Sequence, residues 1–310
     1  MRRLLAIALL LFAAPAFAQA PGAEPPQVVA SVKPLHSLTA AVMRGVGTPH
    51  LLVQGAASPH AFALKPSDAR ALARADLIVW VGPELETFLR KPLDALAGKA
   101  RSLELIRAPG VQTVRMREGG AWEAHDHGPG DHGHSHAHGG PDGHIWLDPV
   151  NAKAMAAAIA GALVEIDPAN AATYRANLAD LTARLDALDA ELRWTLEPVR
   201  TRPFIVFHDA YHYLERRYGL NAAGAITVSP EVRPGAARLS ALRARIAELG
   251  AVCVFAEPQF EPSLVRTVAD GTTARTGVLD PEGAAIPDGP DLYFALLRFN
   301  AQALVDCLGG

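Results

Sequence analysis

The stretch Asp167–Pro198, DPANAATYRANLADLTARLDALDAELRWTLEP, carries one unbroken pattern. Asp167 reads as the N-cap of a helix whose first position is Pro168, where a missing N–H does no harm. Tyr174, Leu178, Leu181, Leu185, Leu188 and Leu192 then recur at alternating four- and three-residue steps until Pro198 stops the run. The spacing predicts a helix over 168–197, about 45 Å long at 1.5 Å per residue. Such a stripe by itself suggests coiled-coil pairing. Here strand-like and helical runs alternate on both sides of it, so it reads as a rigid spine packed along two α/β halves.

Apolar runs, most of them rich in β-branched or aromatic residues, flank the spine at Val28–Val32, Leu51–Val53, Leu77–Val81, Phe204–Phe207 and Val252–Phe255. Continuous runs are expected of strands covered on both faces. Helical stretches fall at Ser37–Arg44, Ser67–Arg74, Asn151–Glu165, Leu239–Leu249 and Tyr293–Leu308. The expected fold class is α/β, with two lobes, each a parallel sheet flanked by helices, joined by one long backbone helix. Residues 19–166 make the first lobe in this reading, 167–199 the linking helix and 200–310 the second lobe. Between 119 and 143 the hydrophobic period collapses, and Gly, Asp and His predict a mobile surface loop.

Ahead of the first strand, Arg2 and Arg3 precede the apolar run Leu4–Phe12. Ala16-Phe17-Ala18 and Ala18-Gln19-Ala20 each offer a small-x-small cleavage site. This is the pattern of a secretory signal peptide over 1–18, cleaved after Ala18 or Ala20, and it is too short to span a bilayer. No cysteine follows the cleavage site, so no lipid anchor is expected. Beyond it no run reaches the roughly 18 uninterrupted apolar residues of a spanning helix. Net charge is −3, and about −5 without Arg2 and Arg3, which points to neither nucleic acid nor an anionic membrane surface. Cys253 and Cys307, an even pair in an exported protein, read as one disulfide, with two buried thiols as the alternative.

The twelve histidines fall into two populations. His125, His127, His132, His134, His136 and His138 crowd the loop. Imidazoles on a glycine-rich tether suit Zn, Cu or Ni, but ordering the tether opposes binding, so an auxiliary and weaker metal site is expected. Elsewhere, position is the clue. His208 directly follows Phe204–Phe207, and His60 lies in the loop after Leu51–Val53. Open α/β sheets bind ligands outside the carboxyl ends of their strands. His144 closes the insert. Taken singly, each of the three reads as a hydrogen-bonded structural histidine rather than a ligand. Convergence is what would make them a site.

Longer motifs surround these residues. Ser58-Pro59-His60-Ala61-Phe62-Ala63-Leu64-Lys65-Pro66-Ser67 resembles the first ligand motif of the zinc- and manganese-binding solute receptors of ABC importers. Asp142-Gly143-His144-Ile145-Trp146-Leu147-Asp148-Pro149 resembles the second, and Phe207-His208-Asp209-Ala210-Tyr211 the third. Phe255-Ala256-Glu257-Pro258-Gln259-Phe260 and Gly277-Val278-Leu279-Asp280-Pro281 are similar to further family segments, in order. The resemblance covers essentially the whole mature chain. It is nearest to the ZnuA-like zinc receptors of Gram-negative bacteria, which also carry a His-rich insert and a disulfide matching Cys253 and Cys307.

That resemblance implies a monomeric periplasmic receptor holding one Zn²⁺ on His60, His144 and His208 in a cleft between two lobes. It also implies delivery to a membrane permease served by a cytoplasmic ATPase. Manganese relatives have a carboxylate where His208 stands and use an aspartate at the position of Asp280. Three nitrogen ligands favour zinc, hard oxygens Mn²⁺. Asp280 is thus a candidate for the fourth position, with water as its competitor. Some zinc relatives place a glutamate before the first histidine; Pro59 stands there, so that carboxylate is missing.

His212 lies four residues after His208 and would share its face on a helix, although the resemblance assigns only His208. His36 reads as structural and His50 as surface. His208-Asp209-Ala210-Tyr211-His212 is superficially similar to the His-Glu-x-x-His pair of zinc hydrolases, which makes that class the runner-up. Aspartate is one methylene too short for it, the preceding segment reads as a strand, and no nucleophile elbow or oxyanion motif is found. The residues are also compatible with a manganese receptor of the same family and with a metal-scavenging adhesin. Capture rather than catalysis is expected, with affinity falling as pH drops through the histidine range near about 6.5.

Overall fold

The computed structural model describes residues 24–96, 98, 100–117, 122, 140–227 and 234–309. The signal peptide expected over 1–18 and the loop histidines His125, His127, His132, His134, His136 and His138 lie outside the described residues.

The described strands form two four-stranded parallel sheets. The first contains β1 (Val28–Ala30), β2 (His50–Leu51), β3 (Leu77–Trp80) and β4 (Arg101–Glu104), in the order β2-β1-β3-β4. The second contains β5 (Pro203–His208), β6 (Asn221–Thr227), β7 (Cys253–Ala256) and β8 (Arg275–Val278), in the order β6-β5-β7-β8. One order is thus used twice. In each sheet the chain passes from the first strand to one edge and returns to its other side, which creates a switch point between β1 and β3 and another between β5 and β7.

The central strands β1, β3, β5 and β7 are the apolar runs of the sequence, and almost every residue in them is buried. Three strands escape the sequence reading, namely β4, β6 and β8, and all three lie at sheet edges. Arg101, Ser102, Arg275 and Thr276 are exposed, and β6 is mostly alanine and glycine, so none needs the continuous apolar run that covers two faces.

Helices α1 (Lys33–Val42), α2 (Pro66–Arg74), α3 (Arg90–Leu96) and α4 (Pro149–Ile166) precede the spine. The spine itself is α5 (Ala171–Leu196), and α6 (His212–Tyr218), α7 (Ala236–Leu249), α8 (Ser263–Ala269) and α9 (Leu292–Gly309) follow it. α5 is shorter than its sequence pattern. A 3-10 turn stands at each end, Pro168–Asn170 and Glu197–Val199, each built around a proline. Its 26 residues span about 39 Å. Tyr174, Leu181, Leu185, Leu188 and Leu192 are buried, so the stripe is satisfied against α4, α9 and α1 of this chain. Asn177 adds hydrogen bonds to the carbonyls of Val42 (2.9 Å) and Arg44 (2.8 Å).

The largest buried apolar cluster is shared by both lobes. It joins Leu35 and Val79 from the first, Leu181 and Leu188 from α5, Phe204 and Phe255 from the second, and Leu296 from α9. A disulfide between Cys253 and Cys307 fastens β7 to α9. Half of α4, the one described helix long and apolar enough to cross a membrane by composition, is buried in this protein interior.

Candidate metal centre

Each lobe sends histidines to the same point by a different local device. His208 is the last residue of β5, at the carboxyl end of a buried strand. His60 sits in the 3-10 turn Pro59–Ala61, which follows β2 and opens at Ser58, whose Oγ accepts from the His60 amide at 3.3 Å. His144 immediately precedes the turn Ile145–Leu147, and Asp148 behind that turn caps α4 by accepting from the Val150 amide at 2.8 Å.

The three rings converge. His144 Nε2 stands 3.3 Å from His60 Nε2 and 3.4 Å from His208 Nε2. Among the described residues these three form the one group of metal-ligating side chains whose ligand atoms all lie within 4.8 Å of one another. His144 and His208 are buried and His60 is half-buried.

Carboxylates hold the two buried rings from behind. Asp142 Oδ1 accepts from His144 Nδ1 at 2.7 Å and from the His144 amide at 2.9 Å. Glu257, just beyond β7, accepts from His208 Nδ1 at 2.8 and 2.7 Å through its two oxygens. A carboxylate partner keeps the proton on Nδ1 and leaves the Nε2 lone pair directed at the centre. Lone pairs that converge in this way repel one another until a cation stands between them. Two nitrogens about 2.05 Å from a tetrahedral Zn²⁺ are about 3.35 Å apart, which is the spacing seen here.

Asp280 is not brought into this group. Its Oδ1 accepts from Gln259 Nε2 and from the amides of Glu282 and Gly283, and its Oδ2 from the amide of Ala284 (3.0, 3.0, 2.8 and 2.6 Å). Three of these bonds build the 281–284 turn and the fourth ties it to Gln259, a commitment that residue spacing could not reveal. His212 is also outside the group. It opens α6 after an intervening turn, so it shares no helical face with His208, and burial followed by the charge of Arg117 lowers its pKa. His36 is structural, bonded through Nε2 to the Pro49 carbonyl at 3.1 Å, and His50 is exposed in β2.

Buried acids line the joint between the lobes. Burial, reinforced by Asp280, Glu257 and Glu86, drives the Glu282 carboxyl well above the usual range. Burial raises Glu86 to about 7, against the opposing hydrogen bonds from Ser31, Val81 and Gly82. Lys33 reaches across from α1 to donate to the Ile286 carbonyl at 2.8 Å and to pair with Asp288 at 3.2 Å. Sequence reasoning missed Asp142 and Glu257 as partners of His144 and His208. The one available signal was their place inside the same motifs, two residues before His144 and at the end of a strand.

Two parallel α/β lobes, bridged by one long helix and meeting at three convergent imidazoles, define a metal-binding solute receptor. Residues 28–307 match the ZnuA family, described as zinc-uptake complex component A, periplasmic, and the chain belongs to that family. It is 51% identical over 304 residues to the high-affinity zinc uptake system protein ZnuA of Brucella abortus (strain 2308), with 91% of each chain covered. A solved ZnuA carrying a 138–173 deletion, with zinc bound, superposes with a TM-score of 0.74 at 28% identity, over 92% of this chain and 98% of that one. The laminin-binding protein of Streptococcus agalactiae, described as having adhesin and metal-transporting activity, superposes at 0.75 with 27% identity, over 91% and 99% of the two chains.

Proposed function

We propose that the protein captures one Zn²⁺ in the periplasm through Nε2 of His60, His144 and His208, with water in the fourth position, and yields it to the membrane permease of an ATP-driven importer. The Nε2 spacing carries this reading, because 3.3 and 3.4 Å separations suit adjacent ligands of one tetrahedral ion. An all-imidazole set favours zinc over manganese. The core shared by both lobes supports capture with little domain movement, so that release falls to the membrane partner distorting the site.

A hydrolase built on the same histidines would lack its general base. Asp209 is bonded to Arg117 at 3.0 and 3.1 Å, and His212 stands outside the cluster. The six histidines of the insert provide an auxiliary, weaker metal site in this reading.

Calorimetric titration should find one tight zinc site that vanishes in His208→Ala and in His60→Ala. Retention of that site in both variants would overturn the ligand set. Removing residues 123–139 should delete weaker sites and spare the tight one.

A further inference from the structure

A second set of bonds links the two buried histidines, and it passes through the base of the insert. The stem is an antiparallel bridge between Arg115 and Pro141. Across it the Met116 amide donates to the Gly140 carbonyl at 3.0 Å, and the Asp142 amide to the Val114 carbonyl at 2.8 Å. Asp142 on one side of the stem holds His144. Arg117 on the other side crosses to the second lobe. Its Nε donates to both oxygens of Asp209 at 3.1 and 3.0 Å, its Nη1 to Glu215 at 2.6 Å, and its Nη2 to Glu215 at 3.0 Å and also to Asp209. Trp122 covers the guanidinium face, with Cζ 3.4 Å from the ring centroid. Tyr213 of α6 adds a strut, donating to the Asp142 carbonyl at 2.7 Å and accepting from the Val114 amide at 3.2 Å.

Asp209 is the residue after His208, so the bonds close a ring. It runs from His208 through Asp209, Arg117, the stem, Asp142 and His144, and returns to His208 across 3.4 Å. We propose that Arg117 is a positioning residue for the metal site, setting the distance between His144 and His208 by clamping the stem to Asp209 and Glu215. The proposal rests on the three-histidine reading above.

The chemistry suits a clamp. A guanidinium is a planar fork that engages carboxylates in fixed geometry, which a lysine ammonium does not. The side chain is 17% exposed and both carboxylates are 7% exposed, so solvent and salt screen the contact little. Ligand constellations work only when held to within about 0.5 Å, and a supporting shell is what holds them. The same ring makes the stem a lever, since any pull on the insert at its base reaches both histidines.

The test uses the full-length protein loaded with one equivalent of Zn²⁺ or Co²⁺. Arg117→Met should speed zinc dissociation about tenfold to a hundredfold, the range expected of an outer partner. It should also shift or broaden the visible band of the cobalt-loaded protein, while one metal per cleft is retained. Arg117→Lys, which keeps the charge but not the fork, should fall between. Where Arg117→Met strands two buried anions and fails to fold, the triple variant Arg117→Met/Asp209→Asn/Glu215→Gln and Arg117→Lys are read in its place. A folded variant with a dissociation rate within twofold of wild type and an unshifted cobalt band would overturn the clamp and leave Arg117 as a structural ion pair. Loss of the cobalt band in His208→Ala separates that outcome from failure of the ligand reading itself.

Discussion

The two switch points are built to one plan and end differently. In the first lobe Ser31 follows β1, and its hydroxyl donates to Glu86 Oε1 at 2.5 Å. The amides of Val81 and Gly82, just past β3, donate to the same carboxylate at 3.0 Å each. In the second lobe His208 ends β5 and donates through Nδ1 to Glu257, just past β7. Both joints therefore set a side chain at the carboxyl end of the first strand against a buried glutamate from beyond the third. The serine hydroxyl gives its one proton to the glutamate and carries no second ligand atom beyond it. Imidazole has a second nitrogen, and through His208 Nε2 the chain of contacts continues to His144 in the three-histidine cluster. Equivalent scaffolds thus end in a closed contact in one lobe and behind a convergent imidazole in the other, according to the residue opposite the glutamate.

The strongest way to separate the joints uses pH. Burial holds the Glu86 carboxyl at about 7, above its ordinary 4.5. Between those values the folded state binds more protons than the unfolded one, so stability falls as pH rises. The contribution is fully present below about 4.5 and is lost as pH climbs through about 7, a swing of about 3 kcal/mol. Denaturant unfolding of the metal-free protein at pH 5 and pH 8 should show Glu86→Gln losing about 2–3 kcal/mol less than wild type over that interval. Equal losses would mean that Glu86 is charged throughout.

Next in size is Glu257→Gln, expected to weaken zinc binding about tenfold to a hundredfold, or about 1.4–2.8 kcal/mol, in competition with a chelator. A change under twofold would place this glutamate beside Glu86 as a purely structural group. The smallest effect belongs to Ser31→Ala, which removes one hydrogen bond to a buried carboxyl. It should lower stability by about 1 kcal/mol and leave zinc affinity within twofold. A tenfold loss of zinc affinity in that variant would erase the contrast between the lobes.

Much of the fold was legible because burial leaves a mark on composition. Central strands covered on both faces must be continuously apolar, and a helix packed along one side must repeat every three or four residues, as α5 does. Edge strands carry no such obligation, so β4, β6 and β8 left no trace. The site was legible in a different way. His60, His144 and His208 stood out through the ordered motifs around them, since each alone was an ordinary histidine. Asp280 shared that prominence, yet its carboxylate accepts three amides of the 281–284 turn and the side chain of Gln259.

The chain alone was enough to define the α/β class and the long helix, because periodicity and strand composition are properties of neighbours along the chain, whereas the three histidines stood out only through the resemblance of their motifs to a known family. Tertiary structure decided the rest. It brought three nitrogens separated by 84 and 64 residues to 3.3 and 3.4 Å. It set Glu257 behind His208 across 49 residues and Arg117 against Asp209 across 92. These contacts depend on how strands order themselves in a sheet and how two lobes close on one core. No local pattern records that, because the interactions that stabilise it join residues far apart in the chain.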